Sequence, residues 1–245
     1  MAKQFRTAAA FKASLESHLR ARAEVRGVPF QTLQLKFVIE RLLARLFREE
    51  NPPWLLKGGF AMDLRFRPQA RTTKDVDLSV TRAAERAGPV SVAMQNLLQA
   101  AVDVDLEDYL TFRIGAPKKE LTNAPKGGGR YPCEALLVGK TYAKFHVDVG
   151  IGDAVVGSPE RLTGDDVLEF AGIEPASVLA IPKSQQFAEN STPTPSLGPG
   201  ASTPGPRISW ILCFWSSVGY RMWGRFKRRL QPRSRHEVRM NYQPR

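Results

Sequence analysis

The chain has 245 residues, 42% of them hydrophobic, which is enough for one sizeable core or for one domain with an appendage. Met1 to Arg20 is polar, so we expect no signal peptide, and no long apolar run follows, so we expect no membrane partner. Cys133 and Cys213 lie far apart, which argues against a cysteine-based metal site and favours a reduced cytoplasmic setting. The net charge of +12 does not make the folded part a nucleic-acid-binding module, because residues 190–245 hold ten Lys/Arg against one acid (+9), whereas residues 1–189 hold 26 against 23 (+3).

Helices and strands are predicted to alternate along the first 189 residues. Apolar residues at helical spacing, or good helix formers, predict helices over residues 8–26, 31–48, 60–66, 90–102 and 183–189. Short apolar runs predict strands over residues 54–56, 76–80, 110–114, 135–138 and 144–149, with the glycines 127–129 in a loop. This alternation favours an α/β (α+β) fold, with a mixed β-sheet flanked by helices.

Two carboxylates at the second predicted strand are the centre of the candidate chemistry. Asp75 and Asp77 are separated by one residue, so on an extended strand both project from the same face while Val76 packs inward. Close carboxylates repel each other unless a cation lies between them, and a hard divalent ion bound to substrate phosphates suits such a pair. The alternative is two ordinary surface acids in a solvated turn.

A glycine turn precedes this pair. Gly58 and Gly59 follow an apolar strand and precede a helix, where backbone N–H groups and the helix N-terminus favour phosphate oxygens. Lys57 adds a positive charge at the same place. The alternative is a tight turn with a helix cap, in which Lys57 is a surface side chain.

The arrangement resembles nucleotidyltransferases of the polymerase-beta type, and more specifically the toxins of abortive-infection AbiE/AbiG systems, the AbiEii/AbiGii group. Those toxins carry a Lys-Gly-Gly turn and then an Arg-x-Thr-x-Asp-x-Asp stretch, which is filled here by Arg71, Thr73, Asp75 and Asp77. The resemblance covers roughly residues 30–189. We expect N-terminal helices in residues 1–50 and a nucleotidyltransferase-like domain in residues 51–189.

The family resemblance also implies an activity and a set of site residues. It implies transfer of a nucleotidyl group from an NTP to an RNA acceptor, for which the tRNA 3′ end is a candidate, with Mg²⁺ or Mn²⁺. It further implies a role in phage defence with a cognate antitoxin as partner. A third carboxylate is expected on a neighbouring strand; Asp148 is the candidate and Asp153 the alternative. The metal-binding and catalytic residues are then Asp75, Asp77 and Asp148, and the phosphate-binding residues are Lys57, Gly58, Gly59, Arg71, Thr73 and Lys74.

Residues 190–245 depart from the family pattern. The family continues with Glu-Lys-Leu-His-Ala and later Lys-Asp-x-x-Asp-Leu, whose lysine and an aspartate belong to its active site. This chain instead has a stretch rich in Pro, Ser, Thr and Gly and then a basic tail, for which we expect disorder. Read one base earlier, the codons of residues 190–194 permit Lys-Leu-His-Ala-Tyr, and those of Trp210-Ile211 force an aspartate. We therefore infer that a base was lost near codon 190; a natural disordered basic tail is the alternative.

Loss of this segment predicts an enzyme with impaired activity. One alternative is a catalytically inactive remnant that binds nucleotide or an antitoxin partner. Another is a basic RNA-binding module, which would depend on residues 190–245 because the remainder is nearly neutral.

Overall fold

The computed structural model describes residues 5–66, 74–80, 92–120 and 126–191. The helices within these ranges are α1 (Ala8–Arg26), α2 (Phe30–Leu46), α3 (Gly58–Phe66), α4 (Val92–Val102) and α5 (Lys183–Ser191). The strands are β1 (Trp54–Lys57), β2 (Asp75–Val80), β3 (Leu110–Ile114), β4 (Lys119–Glu120), β5 (Gly128–Leu137), β6 (Lys140–Ile151), β7 (Glu160–Thr163) and β8 (Ser177–Ala180). Residues 192–245 lie outside the described residues.

The N-terminal helix begins and ends at residues suited to those positions. The Thr7 side chain accepts a hydrogen bond from the Ala10 N–H, which satisfies a donor that the first turn of α1 leaves unpaired. Gly27 ends α1 in the left-handed conformation, with φ of 63°. The buried face of α1 packs in the same core as α2. This face has a buried residue at every fourth position: Phe11, Leu15, Leu19 and Ala23.

The strands form one mixed sheet in the order β3-β5-β6-β2-β1-β8-β7, and β4 pairs with β5. Strands β2 and β6 are parallel neighbours in its centre, and β1 runs antiparallel to β2 on the other side. The predicted α/β architecture with a mixed sheet flanked by helices is confirmed.

Some element boundaries differ from those predicted. The loop predicted for the glycines 127–129 is wrong, because Gly128 and Gly129 are the first residues of β5 and pair with β6. Strands β4, β7 and β8 were not predicted. They have four residues or fewer, and local composition does not encode the tertiary contacts by which β4 pairs with β5, β8 with β1, and β7 with β8.

Alternation along the central strands separates an apolar face from a polar one. Val76 and Leu78 in β2 and Val147 and Val149 in β6 are fully buried. Asp75 and Asp77 alternate with Val76 and Leu78 along β2 and therefore emerge from the opposite face of the sheet. None of the helices in the described ranges is long and apolar enough to cross a membrane.

Candidate active site

The sheet register brings three acids and a lysine together. Asp77 in β2 pairs with Lys57 in β1 on one side and with Asp148 in β6 on the other. Asp75 pairs with His146, two residues before Asp148. Partners across adjacent strands lie on the same face, so Asp75, Asp77 and Asp148 form one acidic cluster. The convergence of the three predicted acids is thus produced by the parallel pairing of β2 with β6.

Gly58 lies directly against this cluster. Its φ is 66°, and a Cβ atom added to it would lie 2.0 Å from Oδ2 of Asp77. Glycine is therefore required both by the backbone conformation and by the approach of the carboxylate. Gly59 is exposed and follows Gly58 in the first turn of α3, so the N-terminus of this helix opens beside the acids.

The first turn of α5 contacts the glycine turn through Gln186. The Gln186 side chain is buried, and its Nε2 donates to the Gly58 carbonyl oxygen at 2.5 Å. Its Oε1 accepts from Arg65, which also donates to the carbonyl oxygen of Ile181. Gln186 was not among the predicted site residues, and a glutamine in a polar helix gives no signal of this contact in the sequence.

Burial raises the pKa of Asp77 to about 6, and the neighbouring carboxylate of Asp148 acts in the same direction. The positive charges of Lys57 and Arg130 oppose this rise without cancelling it. Burial thus disfavours the charged form of the Asp77 carboxyl group, and the two nearby cations offset this only in part.

Asp148 has its compensation from Arg130. Arg130 donates from Nε to Oδ1 at 2.7 Å and from Nη2 to Oδ2 at 2.6 Å, a bidentate pair. The same Nη2 lies 3.5 Å from Oδ2 of Asp75. Arg130 was not predicted as a site residue, because its partner across the β5–β6 pair follows from the register and not from any local motif.

Asp75 and Asp77 fit a divalent cation. They offer the oxygen ligands that Mg²⁺ prefers, from one face of one strand. Asp148 lies in the same cluster, but its oxygens are held by Arg130. Within residues 5–66, 74–80, 92–120 and 126–191, no group of three or more His, Cys, Asp or Glu side chains is arranged to hold a metal.

Of the predicted phosphate-binding residues other than the two glycines, the structure describes Lys57 and Lys74. Lys57 forms an ion pair with Asp153, the alternative third acid, which follows β6. Lys74 is exposed and immediately precedes Asp75. Arg71 and Thr73 lie outside the described residues, so the structure does not place them.

Comparison with known proteins gives the family of this site. No curated protein matches the chain. The family model described as the nucleotidyl transferase AbiEii toxin of type IV toxin–antitoxin systems matches residues 41–189, which contain the glycine turn and the whole acidic cluster. The match covers more than half of the chain, and the chain belongs to the AbiEii family of nucleotidyltransferase toxins.

Proposed function

We propose that this protein transfers a nucleotidyl group from an NTP to an RNA acceptor in the presence of Mg²⁺ or Mn²⁺. The observation that carries the proposal is the contact between Gly58 and the Asp77 carboxylate, since it sets a helix N-terminus beside two acids of one sheet face. A helix N-terminus favours the binding of phosphates, and a pair of carboxylates favours the binding of a divalent cation.

The glycine turn is the proposed site of the triphosphate. Backbone N–H groups at the start of α3 are available to phosphate oxygens because no side chain at Gly58 or Gly59 covers them. Lys57 is paired with Asp153 in the protein alone, and in the proposed complex it exchanges that partner for a phosphate. Lys74, Arg71 and Thr73 complete the proposed set on the segment before β2.

Asp75 and Asp77 are the proposed metal ligands. A bound divalent ion supplies charge neutralisation to the phosphates during transfer. Asp148 is the proposed third acid. Because the Arg130 side chain is 34% exposed, a substrate phosphate can compete for it and return the Asp148 carboxylate to the acidic cluster.

The family supports a toxin role, with a cognate antitoxin as the protein partner. We further propose that the acceptor is an RNA, with the tRNA 3′ end as the candidate. The expected distal lysine and aspartate are missing from residues 190–245 as they stand, so we expect reduced activity from this chain.

The first test replaces the acid pair by Asp75→Asn and Asp77→Asn in the full chain. We expect the rise in Tm caused by NTP with Mg²⁺ to disappear, because binding to the folded state alone stabilises it. Incorporation of labelled NTP into tRNA should fall about 10²–10³-fold for each charge lost, a typical cost of removing a preorganised charge. The Tm without ligand should not fall, since the substitutions relieve repulsion.

The matched control is Asp103→Asn with Asp105→Asn, a second Asp-x-Asp sequence that is exposed and remote from the glycine turn. This control should retain both the Tm shift and the incorporation. Equal losses in the two double variants would contradict the proposed site. Nucleotide binding without incorporation in the unaltered chain would favour the alternative function, an inactive remnant that binds nucleotide or an antitoxin.

A further inference from the structure

A groove with a volume of about 510 Å³ opens on the sheet beside the acidic cluster. Residues of β3, β5 and β6 line it, together with Lys74 just before β2 and Lys118 just before β4. The charged side chains that line it are Lys74, Arg113, Lys118 and Lys144, with Glu134 as the one acid, a formal net charge of +3. We refer to this set of side chains as the basic groove. This is a concentration of positive charge in a folded part that is nearly neutral overall.

The basic groove continues the face that carries the acids. Arg113 pairs with Glu134, and Glu134 pairs with Lys144, so these three form one row across β3, β5 and β6. His146 lies two residues beyond Lys144 on the same face and pairs with Asp75. A chain lying along the basic groove would therefore reach the acids without crossing the sheet.

Three of the four cations of the basic groove are available to a ligand. Lys144 is already 3.1 Å from the Glu134 carboxylate. Arg113 and Lys118 are exposed and form no ion pair with a residue of the described ranges, although Arg113 acts electrostatically on the facing Glu134. Lys74, proposed above for the triphosphate, is exposed at the end of the basic groove next to Asp75. Three exposed cations along one groove match the spaced phosphates of a nucleic-acid backbone better than a single small anion.

The order of the strands sets the basic groove apart from the glycine turn. The sequence of neighbours is β3-β5-β6-β2-β1, so the acids on β6 and β2 lie between the basic groove and the turn that follows β1. In phosphoryl and nucleotidyl transfer the attacking and leaving oxygens are roughly in line on opposite sides of the phosphorus. With the triphosphate at the glycine turn, an attacking hydroxyl that approaches from the side of the basic groove would satisfy this in-line arrangement.

We infer that the basic groove binds the phosphodiester backbone of the acceptor RNA and directs its end towards Asp75 and Asp77. The inference rests on the proposed function, because the acceptor is the second substrate of that reaction. No bond is made or broken in the basic groove itself. Its side chains hold the strand while transfer occurs at the acids.

The test measures RNA binding by the full chain without NTP and without divalent metal. The probe is a fluorescein-labelled hairpin RNA with a single-stranded 3′ end, and the variant is Arg113→Gln with Lys118→Gln. We expect Kd to rise about 10-fold or more, and the slope of log K against log salt concentration to fall by about 1.4, the value for two lost contacts to a single strand.

Two matched double variants remove the same charge elsewhere. Lys140→Gln with Arg161→Gln removes two exposed cations of the sheet outside the basic groove, and Arg228→Gln with Arg229→Gln removes two from the tail. Both should bind RNA as the unaltered chain does. An equal or larger loss in the tail variant would overturn the inference, because RNA would then be bound by residues 190–245.

The failure of this inference is distinct from that of the proposed function. An unchanged Kd for RNA in the Arg113→Gln, Lys118→Gln variant overturns the basic groove as an RNA site, even if that variant loses an acidic protein partner. The proposed function fails on a different readout, when NTP with Mg²⁺ neither raises Tm nor is incorporated. RNA binding that depends on the basic groove would stand in that case.

Discussion

Gly58 carries two constraints that act on different parts of the molecule. Its φ of 66° belongs to the turn that ends β1 and begins α3, and a residue with a side chain pays an intrinsic cost of roughly 1–2 kcal/mol there. The second constraint is the Asp77 carboxylate, which occupies the space of a Cβ atom. The residue therefore links the backbone of the turn to the chemistry of the acids.

We predict that Gly58→Ala lowers the free energy of unfolding by more than the backbone cost alone. The added Cβ must displace the Asp77 side chain or the turn, so NTP with Mg²⁺ should also lose its stabilising effect. Urea denaturation with and without these ligands measures both consequences.

The control for this substitution is Gly27→Ala. Gly27 has a φ of 63° at the end of α1, but nothing lies within 4 Å of an added Cβ. It should lose only about 1–2 kcal/mol and keep the response to ligand. Indistinguishable behaviour of the two variants would contradict a specific role for Gly58.

At the level of elements, α2 is unusual because it buries charge as well as apolar surface. Arg41 and Arg45 both hold Asp108, which is fully buried before β3, and the shortest contacts of each are 2.7 Å. Glu40 on the same helix is 3% exposed and accepts the Asp165 N–H at 2.8 Å. These contacts connect α2 to the segments that precede β3 and β8, and so attach the helix to two strands of the sheet.

The buried charge on α2 predicts a pH dependence of stability. Burial raises the pKa of Glu40 from 4.5 to about 8, and the nearby carboxylates of Asp165 and Asp63 act in the same direction against Lys36. Its Oε1 has no hydrogen-bond partner among the described residues, so no donor at this oxygen offsets the burial of a charged carboxylate. Between pH 4.5 and about 8 the folded state binds more protons than the unfolded state, so stability falls as pH rises through this window.

Replacing Glu40 by glutamine should remove this decline. The free energy of unfolding of Glu40→Gln, measured relative to the unaltered chain, should rise steadily between pH 4.5 and about 8. The expected rise is about 1.4 kcal/mol for each pH unit within this window. Urea denaturation across this window is the measurement, and Glu50→Gln, an exposed acid just after α2, is the control. A difference between Glu40→Gln and the unaltered chain that does not change with pH would contradict the assignment.

At the scale of the whole molecule, the amino-acid composition changes after Glu189 to a stretch rich in Pro, Ser, Thr and Gly and then to a basic tail. The family model matches through residue 189, and the codons that follow permit family residues in a different frame. Both observations support the proposal that a single base was lost near codon 190. The chain would then combine a family domain with an unrelated basic tail.

Sequencing the locus around codon 190 tests this proposal directly. We expect one additional base, whose restoration yields Lys-Leu-His-Ala after Glu189 and an aspartate near codon 211. The restored chain should gain about 10²–10³-fold in NTP incorporation for each recovered charge at the phosphates. An unaltered frame in independently sequenced DNA would leave a natural tail as the correct interpretation.

The sequence by itself determined the local parts of this protein. The spacing of Asp75 and Asp77 fixed their common face, and the glycines after an apolar strand fixed the turn, because strand alternation and glycine conformation act within a few residues. The pattern of alternating elements likewise gave the mixed α/β class. These features match the structure from Lys57 to Val80 within its described part.

Only the tertiary structure decided which distant residues complete the site. Arg130 reaches Asp148 through the register of β5 and β6, Gln186 reaches Gly58 across the packing of α5, and the basic groove arises where β3 joins β5. Such contacts depend on strand order and register, which local patterns leave open. They are set by the burial of the apolar faces of the whole sheet.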